Sequence, residues 1–306
     1  MYTKTLIVIA GPTAIGKTDL AIKIAKEFKT EILSADSRQF YIEMNIGTAK
    51  PSIDDLNEVK HHFVNSHHIT DIFNVGDFEK NGLKTIEHIF EKNNFTVLVG
   101  GSGLYINAIC NGFDDFPNSP VEIRESLNLQ FKNNGLEGLQ NQLKTLDPEY
   151  YNTMDTNNPQ RIIRALEVCL STGFPYSTYR KQNKRTRPFN VIKIGLNIDR
   201  EHLYHRINHR VDQMIEHGLI EEVRQLITYR KLNALNTVGY SELFEFIDHT
   251  ITKEEAVNKI KQNSRRFAKR QLTWFRKDQD IKWFEPDQYS EILKYISEYS
   301  SGCSKH

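Results

Sequence analysis

The octapeptide GPTAIGKT (11–18) decides the fold. It fits the pattern G-x-x-x-x-G-K-[ST]. An apolar, β-branched run, TLIVIA (5–10), precedes it, and a segment with Leu20, Ile24 and Phe28 at helical spacing follows. Strand, glycine-rich turn and helix in that order make the pattern a phosphate-binding loop. Gly11 and Gly16, with Pro12, Thr13, Ala14 and Ile15 between them, let the backbone converge on phosphate oxygens, and the helix start adds the positive end of its dipole. Lys17 supplies a point charge for the terminal phosphate, and the Thr18 hydroxyl suits Mg²⁺.

Outward from this loop, EILSA (31–35), FTVLV (95–99) and VIKIGLNI (191–198) read as three more strands, separated by helical segments. That alternation predicts a parallel α/β sheet. Between Asn111 and about Phe189 the strand signals stop. Helical segments at 120–132, 136–145 and 158–171 take over, the last with Ile162, Ile163, Leu166 and Leu170 on an apolar face. The stretch RKQNKRTRP (180–188), with five basic residues, closes this region as a hinge or as a positive strap. After the fourth strand the chain reads as wholly helical. Asp199 is an N-cap for 200–217, Gly218 a stop, and Thr252 with Glu255 a capping box before a helix through about Lys277. The expected fold is a P-loop NTPase-like parallel α/β core, 1–113 and 190–306, with a helical insertion domain, 114–189, and a helical C-terminal part.

The 306 residues suffice for one large domain or two modest ones. With 39% hydrophobic and 26% charged residues the profile is that of a soluble chain, and no apolar run reaches the roughly 18 residues of a membrane span. The apolar start runs into a glycine-rich loop rather than a cleavage site, so it reads as a strand and the cytoplasm as the expected location. Cys110, Cys169 and Cys303 are odd in number and far apart, which argues against a disulfide framework or zinc finger. His61-His62 and His67-His68 lack cysteine partners and H-x-x-x-H spacing, so they read as a loop packed over the site, not as a zinc centre. Residues 1–150 carry 14 basic and 20 acidic side chains, and residues 151–306 carry 26 and 19. A basic back half suits a polyanion held by one part of the chain, although solvated helices give similar imbalances.

A kinase or ATPase is the obvious inference from the loop, but the strand FTVLV ends in GGSGLY (100–105), without the Asp or Glu that usually fixes Mg²⁺ and the attacking water. The loop needs only a diphosphate, which is free to be a leaving group. Asp36 ends the second strand, at the carboxyl edge where such sheets bind ligands. Its carboxylate is either a cap for the turn into Ser37 or an acceptor for a substrate proton.

The chain resembles the tRNA dimethylallyltransferase family in GPTAIGKT (11–18), DSRQFYIEMNIGTAKP (36–51), GGSGLY (100–105), QRIIRALEV (160–168), RVDQMIEHGL (210–219) and AKRQLTWFR (268–276). These matches run from residue 8 to 276 in the family's order. Two positions depart from it: Ile15 stands for a small Ser, where mainly the backbone is expected to matter, and Ser102 stands for Thr, keeping the hydroxyl.

The resemblance implies transfer of a dimethylallyl group from dimethylallyl diphosphate to N6 of the adenosine next to the anticodon of tRNA (position 37), with Mg²⁺ as cofactor. It implies catalytic roles for Asp36, Lys17, Ser102 and Arg210. Arg210 would lie by the leaving group; its alternative is a helix salt bridge with Asp199 or Glu216. Ser102 would position the base or the diphosphate, or else belong only to a glycine turn. Asp36, Ser37, Arg38 and Gln39, with Ser102, Arg124 and the run Gln160, Arg161, Ile162, Ile163 and Arg164, would meet the anticodon stem-loop. From periodicity, Ile162 and Ile163 look like core, and a lone arginine such as Arg124 is more often surface. The target base would be flipped out of its stack. The run SRRFAKRQLTWFRK (264–277) interleaves basic residues with Phe267, Trp274 and Phe275, either as an RNA surface or as a helix whose aromatics face the core; the second is expected for the aromatics. Rival readings are a transferase acting on free adenine nucleotides, a P-loop kinase, and a non-catalytic RNA-binding protein. No heptads or apolar stripe suggest assembly, so a monomer is expected.

Overall fold

A strand buried on both faces reads as an unbroken apolar run, and TLIVIA sits at the middle of such a sheet. The computed structural model describes residues 4–180 and 185–302, with side chains through 299. In chain order the elements begin β1 (Thr5–Ala10), α1 (Lys17–Glu27), β2 (Ile32–Ser34), α2 (Ile53–Glu58), β3 (His61–His62), α3 (Val75–Lys92), β4 (Phe95–Gly100) and α4 (Gly103–Asn111). Then come α5 (Val121–Asn134), α6 (Glu137–Leu146), α7 (Pro148–Thr153), α8 (Pro159–Thr172) and α9 (Tyr176–Tyr179). The chain ends with β5 (Asn190–Leu196), α10 (Arg200–Glu216), α11 (Leu219–Gln225), α12 (Tyr240–Ile247), α13 (Lys253–Phe275), β6 (Ile281–Phe284) and α14 (Tyr289–Gly302).

The six strands form one sheet in the order β3-β2-β4-β1-β5-β6, and every pair is parallel. Alternate residues of β1 serve opposite faces. Ile7 and Ile9 join Leu20 and Ile24 of α1 and Leu203 and Ile207 of α10, while Leu6, Val8 and Ala10 join Phe78 and Ile86 of α3 and Ile109 of α4. A third apolar cluster holds Met44 beneath Val211, Val223, Tyr240 and Ile260. No described helix is long and apolar enough to cross a membrane.

Contacts divide the chain into residues 1–110 with 186–306, and residues 111–185. In the first unit Arg187 pairs with the buried Glu79 at 2.6 Å. The second unit is purely helical among its described residues and closes over its own core of Leu127, Leu139, Leu143, Ile162, Ile163 and Leu166. The capping signals act as read: the Asp199 side chain accepts from Glu201 N and His202 N, and Thr252 and Glu255 form the reciprocal box.

Three readings need correction. The part after β5 is not wholly helical, because Ile281–Phe284 adds an edge strand that pairs with β5 from Lys193 to Leu196. His61 and His62 are not a loop over the site but the opposite edge strand, with His62 against Glu31 at 2.5 Å. His67 stacks on Phe73 and His68 meets Glu43 at 2.9 Å. Leu170 is 44% exposed, and Cys169 takes the inward position instead. Cys110 and Cys169 are free and buried; Cys303 lies outside the described residues, as do residues 181–184 of the basic stretch.

One carboxylate organises the segment MNIGTAK. Glu222 accepts from the backbone N–H groups of Asn45, Ile46 and Gly47 at 3.0, 2.7 and 3.1 Å, and from the Tyr240 hydroxyl at 2.6 Å. A Cβ on Gly47 would lie 2.5 Å from the Tyr240 ring, so glycine is what lets the loop lie on that aromatic. Replacing Glu222 by Ala strands these donors. We expect the change to lower the unfolding free energy by about 2 kcal/mol, read by urea titration, since a buried donor left unpaired costs roughly 1–3 kcal/mol.

Candidate active site

Parallel strands all end on the same sheet edge, and β1, β2 and β4 deliver their following loops there. Gly16, at φ 99°, precedes α1, and Ala14 also has positive φ, at 62°. These two left-handed residues turn the loop back on itself at the helix N-terminus, a geometry that gathers N–H groups for an anion. The Lys17 ammonium donates to Pro12 O at 2.7 Å. Ile15 is fully buried among Leu20, Leu203 and Leu196, so beside the backbone role expected of this position its side chain also anchors the loop from below.

Gln271 of α13 locks this loop to the glycine turn. Its side-chain oxygen accepts from Thr13 N at 2.9 Å and its amide donates to Gly101 O at 3.0 Å. A Cβ at Gly100 would lie 2.3 Å from Ala35 O, at Gly101 2.2 Å from the Gln271 amide, and at Gly103 2.2 Å from the Trp274 ring. All three glycines are therefore close-approach positions.

At the end of β2, one Asp36 oxygen accepts from Arg38 N at 2.9 Å, a local turn that orients the carboxylate. The other oxygen has no partner among the described residues. Asp36 shapes the turn, as the first of its two readings had it, and it also lines a cleft of about 510 Å³ with Ser37, Arg38, Ser102, Arg210 and Gln271. Ser102 Oγ accepts from Ser37 N at 3.1 Å, so the β4 turn fixes the Asp36 loop. Gln39 is spoken for structurally: its oxygen accepts from Ser34 and its amide donates to Thr48 O and Ala49 O.

A second cleft, about 880 Å³, runs along Gly16, Lys17, Thr18, Lys50 and Arg206. The two clefts share Ala14, Arg210 and Met214. Arg210 makes no ion pair with Asp199 or Glu216; its guanidinium reaches Thr13 Oγ1 at 3.4 Å. Burial pulls Lys17 down from 10.5 to about 7, the Arg210 charge adds to this, and Asp36 partly opposes it. Arg210 is lowered by the same desolvation, again opposed by Asp36. Lys50, pulled by burial to about 8, is held by Tyr41 O, Asn45 Oδ1 and Asn65 Oδ1. Two desolvated cations share one carboxylate, which leaves an excess of positive charge for a polyanion.

Within the helical unit, Gln160 and Arg161 are exposed at the start of α8, and Arg164 and Arg124 both reach Glu167. Ile162 and Ile163 are buried in that unit's core, so their side chains are not available to RNA. The aromatics of α13 divide: Phe275 is buried, but Phe267 is 39% and Trp274 45% exposed, which corrects the expectation that all three face the core. Phe267 lines the Asp36 cleft, with Arg270 above its ring at 5.7 Å.

Several residues in and around the clefts had no role read from the sequence. Gln271 lies within AKRQLTWFR, but its bonds go to distant backbone, as do those of Glu222, which lines neither cleft. Asn236, Thr237 and Val238 line the Asp36 cleft beside Glu242. The buried Glu242 accepts from Gly239 N at 2.8 Å and from Asn263 at 2.7 Å. A carboxylate three residues after a glycine, at a helix start, was the available clue.

Residues 39–278 match the model of the IPP transferase family. The chain is 56% identical over 292 residues to the tRNA dimethylallyltransferase of Christiangramia forsetii, covering 95% of this chain and 97% of that one. It is 48% identical to tRNA dimethylallyltransferase 1 of Bacteroides thetaiotaomicron, with 95% of each covered. Among solved structures it is similar to the tRNA isopentenylpyrophosphate transferase of Bacillus halodurans, with TM-score 0.73, 36% identity and 99% and 100% of the two chains covered. A eukaryotic dimethylallyltransferase acting on tRNA superposes with TM-score 0.81 at 25% identity, over 98% of this chain and 80% of that one.

The depressed Lys17 has a consequence for stability. Its folded value lies below its unfolded one, so the penalty is complete below about pH 7 and fades as pH rises toward 10.5. We expect Lys17→Met to resist denaturant better than the parent at pH 6, with the gap narrowing by about pH 10, measured by urea unfolding at both pH values.

Proposed function

The chain belongs to the IPP transferase family, and from that membership and the geometry of the two clefts we propose how it moves a dimethylallyl group onto tRNA. The observation that carries the reading is the meeting of the two clefts at Ala14 and Arg210, one lined by the phosphate loop and the other by a half-free carboxylate. Dimethylallyl diphosphate would lie with its diphosphate on the loop and its allylic carbon toward the junction. The adenosine next to the anticodon would enter the Asp36 cleft, flipped from its stack.

N6 then attacks the allylic carbon, a C–N bond forms as the C–O bond breaks, and the diphosphate departs with the electron pair. Asp36 accepts the proton that N6 loses, and passes it to solvent. Lys17, Arg210 and the loop N–H groups stabilise the charge that grows on the leaving oxygen; they are held in place beforehand, so little reorganisation is needed. Ser102 acts by holding Ser37, and hence Asp36, in position. Arg38 lines the same cleft as a contact for the RNA backbone.

Mg²⁺ fits as a guest of the substrate. Thr18 lies in the phosphate cleft, while no cluster of three or more acidic, histidine or cysteine side chains suited to a metal occurs among the described residues. Such an ion would be held by the Thr18 hydroxyl and the diphosphate itself, and would supply further charge neutralisation on the leaving group. The enzyme is read as a cytoplasmic monomer, with the helical unit gripping the anticodon stem-loop through Gln160, Arg161, Arg164 and Arg124.

The test is mass spectrometry of nucleosides from unmodified tRNA incubated with the protein, dimethylallyl diphosphate and Mg²⁺, beside a parallel reaction on AMP. We expect the mass gain of one dimethylallyl group on adenosine in tRNA only. Asp36→Ala should reduce kcat at least about 100-fold, within the range for loss of a general base. Product on AMP alone would point to a free-nucleotide transferase, and ATP hydrolysis without either product to a P-loop hydrolase.

A further inference from the structure

Glu167 is an anomaly of the helical unit. It lies in α8 with a residue exposure of 2%, among Ala165, Leu166 and Val168, where an ionised carboxylate is costly unless paired. Its two oxygens go to two different arginines. Oε1 faces Arg124 Nη1 at 3.4 Å and Oε2 faces Arg164 Nη1 at 3.3 Å. Arg124 comes from α5 and Arg164 from one turn earlier in α8. Their side chains are 50% and 38% exposed, so each guanidinium is tethered at one nitrogen and open to solvent elsewhere. Arg164 also lies 5.8 Å from the centre of the Phe116 ring, which itself stacks on Tyr176.

A simple tie between two helices needs one cation. Two cations on one buried anion leave a net positive charge at the surface, and each planar guanidinium keeps most of its five donors for another ligand. We propose that Glu167 is a positioning residue for tRNA: it fixes the Arg124 and Arg164 guanidinium groups at one spacing, preorganised for phosphate or base edges of the anticodon stem-loop. An arginine that must be immobilised on binding loses side-chain entropy, and an anion that has already ordered it removes that cost. The inference rests on the reading that this unit holds tRNA, and it assigns Glu167 no contact with RNA.

The test is a mutant cycle on the full-length enzyme, reading KM for tRNA, KM for dimethylallyl diphosphate, kcat and the melting temperature. Arg124→Ala/Arg164→Ala should raise KM for tRNA about tenfold or more. Glu167→Gln, which keeps the shape but removes the charge, should raise it roughly fivefold, with kcat and KM for the diphosphate within about twofold of the parent. Added to the double arginine variant, it should raise KM for tRNA no further. Glu167→Asp keeps the charge and should recover part of the affinity, which guards against misreading a folding defect in the glutamine variant. Should the arginine variants weaken tRNA binding while Glu167→Gln does not, or should its effect add in full to theirs, the positioning role is wrong. Unchanged KM for tRNA in the arginine variants would instead remove the premise that these arginines meet tRNA.

Discussion

The contact on which the site depends is made by one buried amide. Gln271 accepts from Thr13 and donates to Gly101, so a helix near the end of the chain holds the first loop and the β4 turn in register. Neither loop has this restraint from its own sequence. A glycine-rich loop pays for its freedom in entropy, and close packing of a polar side chain against its backbone is one way to remove that freedom without blocking the N–H groups that must face a ligand. The glycines at 100, 101 and 103 follow from the same constraint, since each faces Ala35, Gln271 or Trp274 at a distance that leaves no room for a Cβ.

Order in the backbone then permits disorder in the charge balance. Lys17 and Arg210 are both desolvated and raise each other's energy, and Asp36 compensates only in part. Such an arrangement costs stability in the free protein, and it becomes favourable where negative charge collects. A departing diphosphate is that situation. The charges are already fixed, in a place where water screens them poorly, so their effect on a developing anion exceeds what mobile surface lysines provide. The same reasoning separates this chemistry from phosphoryl transfer. No strand-end carboxylate follows FTVLV, and Asp36 instead follows the neighbouring strand β2 and lines the cleft beyond the loop 11–18.

Much of this was legible in the sequence because it is local. TLIVIA before GPTAIGKT, the caps at Asp199 and Thr252, and the helical insertion all express short-range rules of burial, turn chemistry and spacing. What escaped was either too short or too distant. IKWF is a four-residue edge strand with Lys282 outward, and His61-His62 is a two-residue one without an apolar residue; neither has a period to detect. Glu222 and Gln271 bond to backbone 175 and 258 positions away, which no window on the chain can reveal. Ile15 shows a further limit. A loop motif describes the side facing the ligand, while the identity of a residue on the other side is set by the core beneath it.

The junction of the two clefts limits how the proposed reaction can be arranged. Ala14, Arg210 and Met214 are the residues common to both, so a group held there meets two apolar side chains and one guanidinium. In the proposed reaction the five-carbon allyl group would sit at that junction, with its diphosphate in one cleft and its acceptor in the other. Displacement with the nucleophile and leaving group on opposite sides of carbon requires that disposition. The charge pattern suits that proposal: the loop cations line the cleft assigned to the diphosphate, and Asp36 lines the cleft assigned to the acceptor. Arg210 is the one charged residue that lines both, which is why its burial between Thr13 and the charge of Asp36 matters more than any salt bridge it could have made along its own helix.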